Sequence, residues 1–368
     1  MKIGPFGSAL KKNIYVDSGI KVYAQENVFN NDFSIGNYYI TEEKYKELQT
    51  CELFPGDVVL SMMGTVGACA IFPKNAEKGI MNSHLLRLQF GDEITPSFAK
   101  LLIRDVPVIK EEIDRLSVGS IMTGLSSSVV KKLILPTPSV DEQKKISELF
   151  NHVDNLITLH QRECERLQIV KKSMLENMFP KNGERVPRIR FSSFTDDWEQ
   201  RKLGDVAQRR STIQQSSHDL PGVEYEDVVS ESGILNKNIR DKETNKNGIL
   251  FDGNQVLYGK LRPYLHNWLN PDFKGVAVGD WWVLQPIDVD KDFLYRLLQT
   301  QRFDDVANQS SGSKMPRADW NLVSNTNFMI PNDSEEQSKI GQYFLRLDNL
   351  ITLHQRKKNT LEKAMKME

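Results

Sequence analysis

Catalysis needs particular residues at fixed spacings, and this chain offers only imperfect versions of them. Gly253 to Lys260 is the nearest approach to a phosphate-binding loop. It has one residue too many between its glycines, and Leu261 stands where Ser or Thr is needed. Asn270-Pro271-Asp272-Phe273 departs at its third position from the Asn-Pro-Pro-aromatic loop of adenine methyltransferases, and no glycine-rich cofactor loop follows a strand. Asp272-Phe273-Lys274 has the acid-x-Lys ending of many nucleases, without an evident upstream acid. There is no His-Glu-x-x-His and no Gly-x-Ser-x-Gly, and the six histidines do not cluster. The pattern favours binding over catalysis, with no metal and no cofactor held by the chain itself.

Residues suited to nucleic acid are present. Tyr258-Gly-Lys-Leu-Arg-Pro-Tyr264 interleaves aromatic rings with Lys260 and Arg262, and Gly312-Ser-Lys-Met-Pro-Arg317 puts Lys314 and Arg317 on a glycine-containing loop. Lysine and arginine there could neutralise phosphates, while arginine could also read base edges. Earlier in the chain the candidates are Lys11, Lys12, Ser83, His84, Ser120 and Thr123. Taken singly, each reads better as a solvated surface residue or, for Tyr264, as a packed aromatic; the pair of loops taken together favours DNA contact.

The elements that must position these groups are announced by a repeat. Asp-Asn-Leu-Ile-Thr-Leu-His-Gln-Arg occurs at Asp154 to Arg162 and again at Asp348 to Arg356. At the same offset Glu142-Gln143, Ile146 and Phe150 match Glu336-Gln337, Ile340 and Phe344. A fixed-period internal repeat is read before anything else. Both copies predict long helices, opened by capping boxes at Ser139/Glu142 and Ser334/Gln337. No glycine or proline interrupts the run from Asp141 to Phe179. Heptad spacing gives each helix an apolar seam: Ile146, Phe150, Val153, Ile157 and Leu167 in the first, Ile340, Phe344, Leu347, Ile351 and Leu361 in the second. His160 and His354 fall within the seams and read as register-setting polar residues, not metal ligands. A helix this long needs a partner, and the simplest is the other copy, packed antiparallel as a coiled coil.

The remaining sequence is two globular units on one plan. Gly253 to Leu257 echoes Gly56 to Leu60, the helical stretch Phe293 to Val306 echoes Phe98 to Ile109, and Phe328 to Pro331 echoes Ile134 to Pro136. Short β-type runs are expected at Ile20 to Tyr23, Asp57 to Ser61, Ala68 to Phe72 and Leu85 to Leu88, one helix from Pro96 to about Leu116, and a strand at Leu133 to Leu135. The expected class is α+β. The division is 1–138, the helix 139–180, a linker 181–197, the second globular unit 198–333, and the helix 334–368. Trp198 to Asp205 has no counterpart ahead of the first unit, so the start of that unit is expected to be incomplete. With 48 basic and 49 acidic residues in 368, no global charge points to nucleic acid, and any basic surface must be local. Three widely spaced cysteines and the lack of a long apolar run suit a cytoplasmic protein with no membrane segment.

Together these features resemble the specificity subunit of type I restriction-modification enzymes. The resemblance rests on Leu135-Pro-Thr-Pro-Ser-Val-Asp-Glu-Gln143, Asn327-Phe-Met-Ile-Pro-Asn-Asp-Ser-Glu-Glu-Gln337, Trp198-Glu-Gln-Arg-Lys-Leu-Gly-Asp205, Gln255 to Pro263 and Gly312 to Pro316, in that duplicated order. It implies a non-catalytic subunit with two target recognition domains, each reading one half of a split double-stranded DNA site. The two helices would space the domains and dock two copies of a modification subunit, the methyltransferase. A restriction subunit, the translocase and nuclease, can join. S-adenosylmethionine, ATP and magnesium are then expected on those partners. Two other readings of the residues are a nuclease acting through Asp272 and Lys274, and a coiled-coil adaptor without DNA contact.

Overall fold

The computed structural model describes residues 1–5, 9–63, 67–117, 127–181, 183–242, 245–309 and 315–366. By contact the chain divides into Met1–Leu159 with Lys357–Glu368, and His160–Arg356, so each boundary falls within a long helix.

In the first unit an antiparallel sheet runs in the order Lys2–Ile3, Leu85–Leu88, Val58–Ser61, Cys69–Ile71. In the second unit the same order is built from Ala207–Arg209, Trp281–Pro286, Val256–Gly259 and Trp268–Leu269. Each unit also contains a parallel pair, Ile20–Tyr23 with Gly79–Met81 and Gly222–Val223 with Gly275–Ala277. The central strands are apolar at nearly every position because both faces are covered. Side chains alternate along a strand, so Val58 and Leu60 enter one core and Val59 another. In the second unit Val256 and Tyr258 likewise separate from Leu257. The duplicated plan expected from the sequence is the plan observed.

The long helices are Val140–Asn177 and Ser334–Lys366, of 38 and 33 residues. Ser139 caps the first, its hydroxyl accepting from the Glu142 N–H at 3.4 Å. The second is capped one residue earlier than expected: the Asp333 carboxylate accepts from the Glu335 N–H at 2.7 Å. The Glu-Gln repeat serves a further purpose. Gln143 Oε1 accepts from the Thr95 N–H at 2.8 Å, and its amide donates to the Glu93 and Pro138 carbonyls. Gln337 repeats this, accepting from the Asp290 N–H at 2.7 Å and donating to the Pro331 carbonyl at 2.8 Å. Thr95 and Asp290 are the N-caps of the helices Pro96–Asp105 and Lys291–Leu297. Each long helix is thereby bolted to the start of a helix in its own unit.

The seam is shorter than the heptad pattern suggests. Ile146 and Phe150 pack on Phe98, Leu101 and Leu102 of the first unit. Ile340, Phe344 and Leu347 are buried in the core of the second, with Phe293, Leu294 and Leu298. An apolar stripe does not record which neighbour it faces, and the early turns of each helix face their own domain. Helix pairs with helix further along, in the second unit. His160 meets His354, the Cys164 thiol points at the Ile351 carbonyl (3.6 Å), and Lys171 pairs with Asp348 (2.7 Å). Partner numbers fall as the first rise, so the pairing is antiparallel. Leu167 joins that core and Ile351 is buried within the contact; Val153, Ile157 and Leu361 are half-buried.

Two local expectations fail for clear reasons. The single helix from Pro96 divides into Pro96–Asp105 and Pro107–Ser117, because the residue before a proline is pushed out of the helical region. Val106 accordingly has φ −78° and ψ 115°. The strand at Leu133 to Leu135 is absent. Its counterpart Asn327–Ile330 is paired with Glu199–Lys202, whereas Ile134 is 78 % exposed.

Candidate nucleic-acid interface

Three of the four basic candidates of the second unit come together at the end of its main sheet. Strand Val256–Gly259 leads into Lys260, Leu261 and Arg262, and strand Trp281–Pro286 starts just after Asp280. The Lys260 N–H donates to the Asp280 carbonyl at 2.9 Å. Residues 316–318 run alongside: the Arg262 N–H reaches the Pro316 carbonyl at 2.7 Å, and the Ala318 N–H reaches the Lys260 carbonyl at 2.8 Å. Backbone bonds therefore hold Lys260, Arg262 and Arg317 on one platform.

The platform is pinned from below by Tyr225. Its hydroxyl accepts from the Leu261 N–H at 2.8 Å and lies within hydrogen-bond reach of the Leu261 and Asp280 carbonyls. Burial pushes the phenol pKa up. The approach requires Gly259, where a Cβ would stand 2.5 Å from the Tyr225 hydroxyl.

Asp280 is the electrostatic centre. Arg317 donates to it through Nε (3.3 Å) and Nη2 (3.1 Å), and Lys260 Nζ lies 3.5 Å away. Burial alone would raise the Asp280 carboxyl. The hydrogen bond and charge of Arg317, with the charge of Lys260, outweigh it and hold the group below the usual carboxylate range. Arg262 and His266 take left-handed backbone angles, φ 48° and 52°, around the turn Pro263–Leu265. Arg262 is exposed, and so is Tyr264, a residue whose ordinary reading is a packed aromatic.

The same place in the first unit is chemically different. The Met62 N–H donates to the His84 carbonyl at 2.8 Å, so Met62 stands where Lys260 does and His84 where Asp280 does. The His84 N–H is held by Asn82 (3.0 Å), and its Nδ1 faces the Met63 sulfur. Ser83 is half-buried beside it. Gln25 donates to the Ser61 hydroxyl at 2.9 Å and to the Met63 carbonyl. Lys11 and Lys12 are exposed on a separate turn, at Lys12–Ile14. Ser120, Thr123 and Lys314 lie outside the described residues.

Asp280 and Tyr225 were not legible as site residues: a Gly-Asp pair between apolar runs reads as an ordinary turn. Cys164 lies one turn beyond His160. It does not complete a metal site, and among the described residues no three His, Cys, Asp or Glu groups could hold an ion. No described helix is long and apolar enough to cross a membrane.

The chain belongs to the family of the type I restriction modification DNA specificity domain, which matches it twice, over residues 3–168 and 195–363. Its function class is that of a DNA-specificity subunit of a type I restriction-modification system. It is similar to the specificity subunit of the type I restriction enzyme MjaVIII of Methanocaldococcus jannaschii, 22 % identical over 311 residues, covering 79 % of this chain and 72 % of that protein. It is also similar to the putative MjaX specificity subunit of the same organism, 25 % identical over 176 residues, covering 45 % of this chain and 41 % of that one. The fold is shared with the crystal structure of a type I restriction-modification S subunit from M. genitalium, with TM-score 0.56 and 14 % identity, covering 99 % of this chain and 90 % of that one.

Proposed function

We propose that each domain reads one half of a bipartite, asymmetric DNA site, and that the helices act as spacer and dock two copies of a modification subunit. The observation that carries this is sameness on the helices beside difference in the domains. The identical nonapeptides present the same outward apolar pair: Leu156 and Leu159 are 45 % and 58 % exposed, Leu350 and Leu353 43 % and 46 %. Matched faces suit two copies of one partner, while His84 with Met62 and Asp280 with Lys260 suit different bases. The chain itself supplies recognition. Methyl transfer from S-adenosylmethionine, and ATP- and magnesium-dependent translocation and cleavage, belong to the modification and restriction subunits, and the complex works in the cytoplasm.

Native mass spectrometry of the assembled complex tests this reading. Two modification subunits per chain are expected, with one lost in L156E/L159E and the other in L350E/L353E. A single copy in the parent complex would contradict it.

A further inference from the structure

We propose that Arg317 reads a guanine in the major groove and that Asp280 is its positioning residue. This rests on the DNA-recognition reading above.

A guanidinium has two edges that can donate in pairs. Asp280 occupies the side edge, through Nε and Nη2. Among the described residues no group takes the end edge, one N–H from each Nη, and the side chain is 52 % exposed. That edge has the spacing of guanine O6 and N7.

The pairing at Arg317 itself, and not the net charge of the platform, points to a base and not a phosphate. Asp280 already sets a full negative charge against Arg317, with Lys260 close by. A phosphate arriving there would meet a carboxylate 3.1–3.3 Å from the guanidinium. The uncharged acceptors of guanine meet no comparable repulsion. Asp280 is itself held, since its carbonyl takes the Lys260 N–H and lies within reach of the Tyr225 hydroxyl. A reader fixed in advance loses less side-chain freedom when it binds.

The test uses the chain assembled with its modification subunit. Binding is measured on the cognate duplex and on duplexes with each guanine of the second half-site replaced in turn, at several salt concentrations. Arg317→Ala should abolish discrimination at one guanine, a loss of about 5- to 150-fold on the cognate duplex, and leave the salt slope unchanged. Arg317→Lys keeps the charge but lacks the paired edge, and should lose the same discrimination. Asp280→Asn should weaken discrimination at that guanine alone. Uniform weakening on all sequences with a salt slope lower by about one would identify a phosphate contact and overturn the proposal. Retained discrimination in Arg317→Lys would do so too. A parent complex without sequence preference would defeat the recognition reading itself, and this proposal with it.

Discussion

Arg296 is buried beneath the second long helix, and its charge is met by Asp348 at 2.8 Å. Asp348 also takes Lys171, whose pKa burial lowers despite that carboxylate. In the first repeat the same aspartate, Asp154, meets Arg104 at 2.6 Å, but there both side chains are about one-third exposed and Arg104 shares Asp105. One residue type in one repeated sequence therefore has two energetic roles. Asp348→Asn strands a buried guanidinium and should cost about 3–5 kcal/mol. Asp154→Asn should cost no more than about 1 kcal/mol. Chemical denaturation of the two variants measures the contrast. A second residue-scale prediction concerns acid. Hydrogen bonds from Lys242 and then Lys246 hold the Glu224 carboxyl below its usual range. A depressed carboxyl stabilises the fold above its unfolded value of about 4.3, and that contribution is lost as pH falls through the lower folded value. The melting temperature should therefore fall on acidification below about pH 4, with a shallower fall in Glu224→Gln. Pairings of this kind were hidden in the sequence: Asp280 meets Arg317 across 37 positions, and no local pattern records such a contact.

At the scale of elements, the long helices were the most legible part. An uninterrupted apolar rhythm and an N-terminal serine located the first as Ser139 to about Phe179, against the observed Val140–Asn177. The partners of its apolar residues were not legible, because a heptad stripe looks the same against a domain as against another helix. The repeated Glu-Gln was visible as a repeat, but its work is done by backbone groups far away in sequence. Gln143 and Gln337 are fully buried and satisfy main-chain groups of their own units. Replacing either by Ala leaves those groups unpaired and should cost about 1–3 kcal/mol, read by thermal unfolding. Small residues complete the same joints: Gly341 lies against Asp292, where an added Cβ would approach to 2.6 Å, and its repeat partner Ser147 is buried. The absent strand at Leu133 to Leu135 has a different cause. Sequence gives the edge but not its neighbour, and the paired counterpart in the second unit depends on Glu199–Lys202.

At the scale of the whole molecule, the duplicated sheet order and the duplicated joints make two recognition domains of one construction, with unlike residues at the ends of their sheets. The order of motifs made the architecture legible. The bases read were not: under the proposed reading they depend on a few loop side chains, which the order of motifs does not record. Whether the two domains read two different half-sites is measured by co-expressing the chain with its modification subunit in a host lacking DNA methylation, then mapping modified adenines across the genome. One split motif with unlike halves and a fixed gap is expected. A palindromic motif, or methylation without sequence preference, would contradict that reading.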